Sequence, residues 1–297
     1  MKTVYLCLNV EKPDSESVSK KLRKKSSKYE IEVVEEPNEA DCIVTIGGDG
    51  TFLYGAKLAL QNSCSLAGIN LGRFGFLPSF NPDNVEQLFY ALNETSPSDR
   101  NILEVETSIG SFASMNEIVL ERKRVQRAAR ISMISSPPNF ARTPLPNETA
   151  DPNVRARILN EEMNEVINEF STYSKLKEQN IMGPIFVCDG VIVATPLGST
   201  AYSSSAGGPA ISPYSDVMSV TLTSLHHPRI PPVVLSSKEN LYLQAEEECV
   251  LVCDGRHVGD IAGQDVVRVR VGNKKIQVYE RPASVVTRLA QAFGAEV

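Results

Sequence analysis

The stretch Cys42-Ile43-Val44-Thr45-Ile46-Gly47-Gly48-Asp49-Gly50-Thr51 decides the fold. CIVTI is a short, unbroken apolar run rich in β-branched residues, the pattern of a strand buried on both faces. Two glycines stop it, and Thr51 to Gln61 then reads as a helix. Working outward, Thr3 to Val10, Glu32 to Val34 and Ser65 to Ile69 read as further strands. Asp14 to Lys25 reads as a basic helix, and Asp83 to Leu92 as another with Asp83 near its cap. Strands alternating with helices argue a parallel, doubly wound sheet over the first hundred residues.

The glycine turn is also the sharpest chemical feature. Glycines allow backbone angles closed to other residues and let the main chain approach a ligand. Free N–H groups at the start of the next helix then face an anion such as a polyphosphate. Asp49 adds a carboxylate that can accept a proton from an attacking hydroxyl or help hold the Mg²⁺ of a nucleoside triphosphate. The plainer reading is an Asp that caps the helix. After the next strand, Asn70-Leu71-Gly72-Arg73-Phe74-Gly75-Phe76-Leu77 leaves the sheet edge at which parallel sheets bind ligands. Phe76 and Leu77 read as core anchors there.

From about residue 101 the texture changes to short alternating runs with Gly, Pro and Asn between them: ILEVETSI, MNEIVLE, RISMI, IFVCDGVIVA, VMSVTLTSL, NLYLQAE, CVLVCDG, VVRVRVG and KIQVYE. Strands at this spacing argue a β-rich sandwich. The domain layout expected is an α/β domain at 1–100 and a β-rich one at 101–280, with a helical insertion at about 135–180 and a last helix at 281–297. Asp151 and Pro152 open the insertion's helix, and Val154, Ile158, Met163, Val166, Ile167 and Phe170 give it an apolar stripe for the sheet or a neighbouring subunit. Asn116 and Glu117 fall where alternation predicts burial, so they need partners such as a ribose or base edge, or each other. In DGVIVATPLGSTAYSSSAGGP, residues 189–209, small hydroxyls and glycines suit a neutral ligand, and Tyr202 offers a ring face. No GxGxxG follows the first strand, so a standard dinucleotide fold is not indicated.

Composition narrows the classes. The net charge of −6 argues against a nucleic-acid partner. The basic clusters Lys20 to Lys25 and Arg122 to Arg130 read as solvated faces, the second with a phosphate contact left open. Six cysteines lie scattered in strand-like runs with no CxxC pair and no ligand set for zinc, as expected of reduced thiols in a cytoplasmic protein. The apolar TVYLCLNV is too short for a membrane span and is followed by acidic residues instead of a cleavage site.

The motifs GGDGT, NLGRFGFL, MNEIVL and DGVIVATPLGSTAYSSSAGGP, in this order between about residues 40 and 260, closely resemble the NAD kinase family. The last is specific to that family, whereas GGDGT is shared more widely. The resemblance implies a Rossmann-like N-terminal domain, a β-rich NAD-binding domain and a terminal helix returning to the first. It implies ATP as phosphoryl donor, with polyphosphate left open, Mg²⁺ or another divalent cation, NAD as substrate, and a homo-oligomer, dimer or tetramer. Carried over by position, Asp49 would activate the ribose 2′-hydroxyl, and Gly48, Gly50 and Thr51 would meet phosphates. Phe76, Asn116, Glu117, Asp189, Thr200, Ala201, Tyr202, Ser205 and His226 would bind substrate. Leu197 stands where the family usually has Thr, and Pro231 where an Arg usually follows the histidine, with Arg229 a substitute. Two other readings remain open: a lipid kinase of the diacylglycerol or sphingosine type, sharing GGDGT, and a non-catalytic dinucleotide-binding regulatory subunit. The specific second-domain motif and the absence of a membrane-seeking segment weigh against the first, and the intact GGDGT against the second.

Overall fold

The computed structural model describes residues 1–72, 77–136, 151–169, 183–226 and 229–281, with Val286, Thr287 and Ala290. The chain divides into two compact units, Met1–Arg100 with Lys275–Val297, and Asn101–Lys274.

In the first unit the chain runs through β1 (Lys2–Leu8), α1 (Pro13–Ser26), β2 (Ile31–Val34), β3 (Cys42–Gly47), α2 (Asp49–Asn62), β4 (Ser65–Asn70) and α3 (Glu86–Glu94). The strands pair in parallel in the order β2-β1-β3-β4. Every residue of β3 is buried, as its unbroken apolar run requires. Val44 and Ile46 pack with Val18 and Leu22 of α1 and with Leu88 and Leu92 of α3. Ile43 and Thr45 point to the opposite face, where Gly55 brings α2 so close that an added Cβ would lie 2.1 Å from Thr45 Cγ2. Helices on both faces of a parallel sheet make the doubly wound architecture. Several boundaries move, among them the starts of α2 and α3. Helix α2 starts at Asp49 instead of Thr51, and α3 at Glu86 instead of Asp83, because Asp83 donates its N–H to Asn81 Oδ1 in a turn before the helix.

The second unit is a sandwich of antiparallel strands. It comprises residues 101–107 of β5 (Ser98–Thr107), β6 (Gly110–Ser114), β7 (Glu117–Arg122), β8 (Ala129–Ser135), α4 (Pro152–Glu169), β9 (Ile185–Cys188), β10 (Gly190–Ala194), the single turn α5 (Tyr202–Ser205), β11 (Val217–Thr223), β12 (Val233–Ser236), β13 (Asn240–Ala245), β14 (Cys249–Cys253), β15 (Arg256–Ile261) and residues 266–274 of β16 (Val266–Tyr279). One sheet runs β12-β11-β10-β7-β14-β15, and the other includes the order β16-β13-β8-β9. Leu120, Val191, Val193 and Leu251 of the first sheet meet Ile131, Leu243, Val267 and Val269 of the second in one core. All six cysteines are free thiols, and burial pushes Cys188, Cys249 and Cys253 up to about 12.

IFVCDGVIVA, read as one strand, is two: β9 pairs with β8 in one sheet and β10 with β7 and β11 in the other, so the chain changes sheets at Asp189. VVRVRVG and KIQVYE, read as two strands, are the single β16, running through Gly272, where a Cβ would press against the Glu104 carboxylate.

Helix α4 buries Met163 of the expected apolar stripe, but its buried face is shifted from the rest of the described stripe. Arg155, Leu159, Glu162 and Met163 are buried, whereas Val154 and Ile158 are only half-buried. The reason is polar pairing with the sheet. Arg155 donates to the Thr107 carbonyl at 3.0 Å and to Ser111 Oγ at 2.8 Å, while Glu162 pairs with Arg268 and accepts the Tyr242 hydroxyl at 2.9 Å. The Val166 and Ile167 side chains, Phe170, the remainder of the expected insertion and most of the expected last helix lie outside the described residues.

Candidate active site

In the first unit, β3 delivers the glycine turn to the N-terminus of α2. Gly48 is the cap residue with extended backbone, and no side chain caps the helix there. Asp49 is therefore not the cap. Its Oδ1 accepts the N–H of Leu77 at 3.2 Å, tying the turn to the end of the second glycine motif, while the Gly47 carbonyl accepts the N–H of Leu71 at 2.8 Å. Leu77 is buried as expected, and Phe76 lies outside the described residues.

The glycines divide by function. A Cβ at Gly47 would lie 2.3 Å from Thr51 Oγ1, so that position is closed by packing. At Gly48 and Gly50 a Cβ would meet nothing within 4 Å. None of the three has a positive φ, so the expected reason, unusual backbone angles, does not apply. Their small size leaves the helix N-terminus open, which is what close approach by an anion needs. Thr51 is half-buried.

In the second unit, Asn116 and Glu117 stand at the start of β7, and both are buried. Asn116 Oδ1 and Glu117 Oε2 have no hydrogen-bond partner there. Burial, reinforced by the Asp254 carboxylate and opposed by the Tyr202 N–H, pushes Glu117 up to about 7. Strand alternation puts Glu117, Val119 and Glu121 on the outer face of their sheet. Val119, Ile192 and Ala194 of that face pack with Ala206, so the 195–209 segment folds over it.

That segment's hydroxyls mostly hold it together. Thr195 Oγ1 donates to the Met115 carbonyl at 2.7 Å and accepts the Gly198 N–H at 3.0 Å. Ser199 Oγ donates to the Pro196 carbonyl and accepts the Ile211 N–H, and Ser203 Oγ meets Thr221 Oγ1 at 3.2 Å. Gly198 sits so tightly on Asn116 that a Cβ would come within 2.1 Å of its carbonyl oxygen. Thr195, Ser199 and Ser203 are wholly buried, so their hydroxyls brace the loop, and none of them is among the expected substrate contacts. Tyr202 is 44% exposed, and burial together with the charges of Glu121, Asp189 and Glu117 raises its phenol. Thr200 and Ala201 are half-buried beside it, and Ser205 is exposed.

Asp189 Oδ1 lies 3.1 Å from Arg122 Nε, which gives it a cationic partner within the protein. Of that basic cluster Lys123 also pairs with Asp260 and Glu248, and Arg130 with Glu246, while Arg124 and Arg127 are exposed. His226 is exposed and donates its N–H to the Val187 carbonyl at 2.8 Å. Pro231 and Arg229 are exposed. Asp254 organises the start of β7, and Asp254-Gly255-Arg256 resembles a later motif of the NAD kinase family to which no role was assigned from the sequence.

Two family models match, the ATP-NAD kinase N-terminal domain over residues 8–96 and the ATP-NAD kinase C-terminal domain over residues 161–281. The chain is 26% identical to the NAD kinase of Sulfurimonas denitrificans, covering 95% of this chain and 92% of that protein. It is 32% identical to the NAD kinase of Wolinella succinogenes, covering 84% of this chain and 71% of that one. Its fold matches the crystal structure of a yeast NADH kinase complexed with NADH at a TM-score of 0.74 and 16% identity, covering 99% of this chain and 88% of the other. It also matches an NAD kinase from Archaeoglobus fulgidus in complex with ATP at a TM-score of 0.69 and 20% identity, covering 99% and 98%. With both domains matched and relatives aligned over most of their length, the chain belongs to the NAD kinase family.

Proposed function

We infer that this chain is an NAD kinase, transferring a phosphoryl group from ATP to the 2′-hydroxyl of the adenosine ribose of NAD to give NADP. The observation that carries this reading is the pair of buried, unpartnered oxygens on Asn116 and Glu117, because a buried polar atom without a partner costs about 1–3 kcal/mol unless a ligand supplies one. A ribose hydroxyl or an exocyclic amine is the right partner for both. Tyr202 adds an exposed ring for a base, with Thr200, Ala201, Ser205, Asp189 and His226 as the further substrate contacts of the reading.

The donor's phosphates are assigned to the open helix start at Gly48, Gly50 and Thr51, and Phe76 is kept with the substrate contacts. Asp49 takes the proton of the attacking hydroxyl, a step worth about 10²–10⁴ in rate where transfer is otherwise positioning and charge stabilisation. A divalent cation accompanying ATP would take its ligands chiefly from the phosphates and water, which leaves the Asp49 carboxylate for the proton. Bound there, it would neutralise charge developing on the phosphates. Assembly into a homo-oligomer belongs to the same reading and is supported by the exposed Val233 and Val234 on the edge strand β12. Neither a lipid kinase nor a non-catalytic subunit is favoured by any relative named above.

The test is direct: incubate the purified chain with ATP, Mg²⁺ and NAD, and read NADP through an NADP-specific dehydrogenase. Formation of NADP that depends on ATP supports the reading, and its absence under saturating substrates contradicts it.

A further inference from the structure

The hairpin between β14 and β15 is closed by two residues, Asp254 and Gly255, between the paired Cys253 and Arg256. Both have positive φ, 48° and 72°, the geometry of the tight turn that Asn-Gly, Asp-Gly and Gly-Gly favour. The turn itself therefore has no need of a carboxylate.

The carboxylate reaches another strand instead. Asp254 Oδ2 accepts the N–H of Met115 at 2.9 Å, and Oδ1 accepts that of Asn116 at 2.7 Å, with the Glu117 N–H at 3.4 Å. Ser114 Oγ, with one proton to give, lies 2.5 Å from Oδ1 and 2.7 Å from the Glu117 carbonyl. In the other direction, the Asp254 N–H donates to the Glu117 carbonyl at 3.0 Å. From the opposite side Thr195 takes the Met115 carbonyl through its hydroxyl and the Asn116 carbonyl through its N–H. Every backbone polar group from Met115 to Glu117 is thus engaged by residue 254 or residue 195. What is left over is the two unpartnered side-chain oxygens.

We propose that Asp254 is a positioning residue for the substrate nucleoside, its carboxylate fixing the backbone from which Asn116 and Glu117 present those oxygens. The proposal rests on the reading that Asn116 and Glu117 bind substrate. A carboxylate gripping successive N–H groups forms charge-assisted hydrogen bonds, stronger than neutral ones, and so sets the aim of both side chains. Because its carboxylate is spent on the backbone of Met115 to Glu117 and on Ser114, its loss should weaken binding more than it slows chemistry.

The experiment uses Asp254→Gly and Asp254→Asn in the full chain, with melting temperature, KM for NAD and kcat at saturating ATP. Both substitutions suit the turn, so the fold should survive. Glycine removes the carboxylate, while asparagine keeps one acceptor and sets an N–H₂ against backbone donors. The KM for NAD is expected to rise about tenfold in the glycine variant and by less in the asparagine variant, while kcat changes less than KM. An active wild type with an unchanged KM in Asp254→Gly overturns the proposal, as does failure of both variants to fold, which would make the residue structural. A wild type that makes no NADP overturns the parent reading, and the proposal with it, and is recognised before any variant is measured.

Discussion

Glu162 of α4 and Arg268 of β16 form an ion pair whose side chains are 0% and 3% exposed. Arg268 also pairs with Glu106, and Glu162 accepts the hydroxyl of Tyr242, whose pKa is raised by burial and by Glu162. Four elements, α4, β5, β13 and β16, meet in this cluster. Removing the shared cation leaves the buried Glu162 and the half-buried Glu106 without it.

Arg268→Met is therefore expected to cost roughly 3–5 kcal/mol, the usual penalty for breaking a buried pair from one side. Glu162→Gln should cost less, since Arg268 keeps Glu106. Urea unfolding of the two variants gives the comparison, and equal, small losses would show that α4 is held by its apolar contacts alone.

Glu117 predicts a pH dependence. Its pKa is raised to about 7 by burial and by Asp254, and Tyr202, Glu121 and Asp189 are the other ionisable groups gathered around that face. The ordinary value for a glutamate is about 4.3, so between there and pH 7 the unfolded chain releases a proton that the folded chain keeps. This contribution to stability is complete below about pH 4 and is lost as the pH rises to about 7. Glu117→Gln lacks it, so the variant should gain stability relative to the wild type across that window. Denaturant midpoints measured at several pH values would show parallel curves if Glu117 titrated normally.

Gly50 sets stability against use. It lies in the first turn of α2, where a Cβ meets nothing within 4 Å, so Gly50→Ala should stabilise the helix by up to about 1 kcal/mol. The same methyl group would stand where phosphates are assigned, and the KM for ATP should rise by about tenfold, equivalent to ~1.4 kcal/mol. Thermal melts and initial rates on one preparation check both halves. Greater stability with unchanged kinetics would remove Gly50 from the phosphate site.

The fold class was legible because its signals are local. The run CIVTI can only be a strand buried on both faces, and the switch from alternating helices to alternating strands near residue 101 is visible without any contact information. The buried face of α4 was not legible, because Arg155 and Glu162 read as exposed until their partners at Thr107, Ser111, Tyr242 and Arg268 are known. The sheet change at Asp189 was hidden for the same reason: apolar residues continue on both sides of it while the pairing partners differ. At the candidate site, the motifs picked out Asn116, Glu117 and the 195–209 segment. They could not separate hydroxyls that brace the loop, such as Thr195 and Ser203, from side chains left exposed, such as Tyr202, because that depends on which way each turn residue faces.

The central claim is that the carboxylate of Asp49 accepts the proton of the attacking hydroxyl, and Asp49→Asn tests it most directly. The amide keeps an oxygen for the Leu77 N–H, so the turn should hold its shape while the base is lost. Measured side by side, the variant should bind NAD as the wild type does and form NADP about 10²–10⁴ times more slowly. NADP formation at close to the wild-type rate would contradict the account.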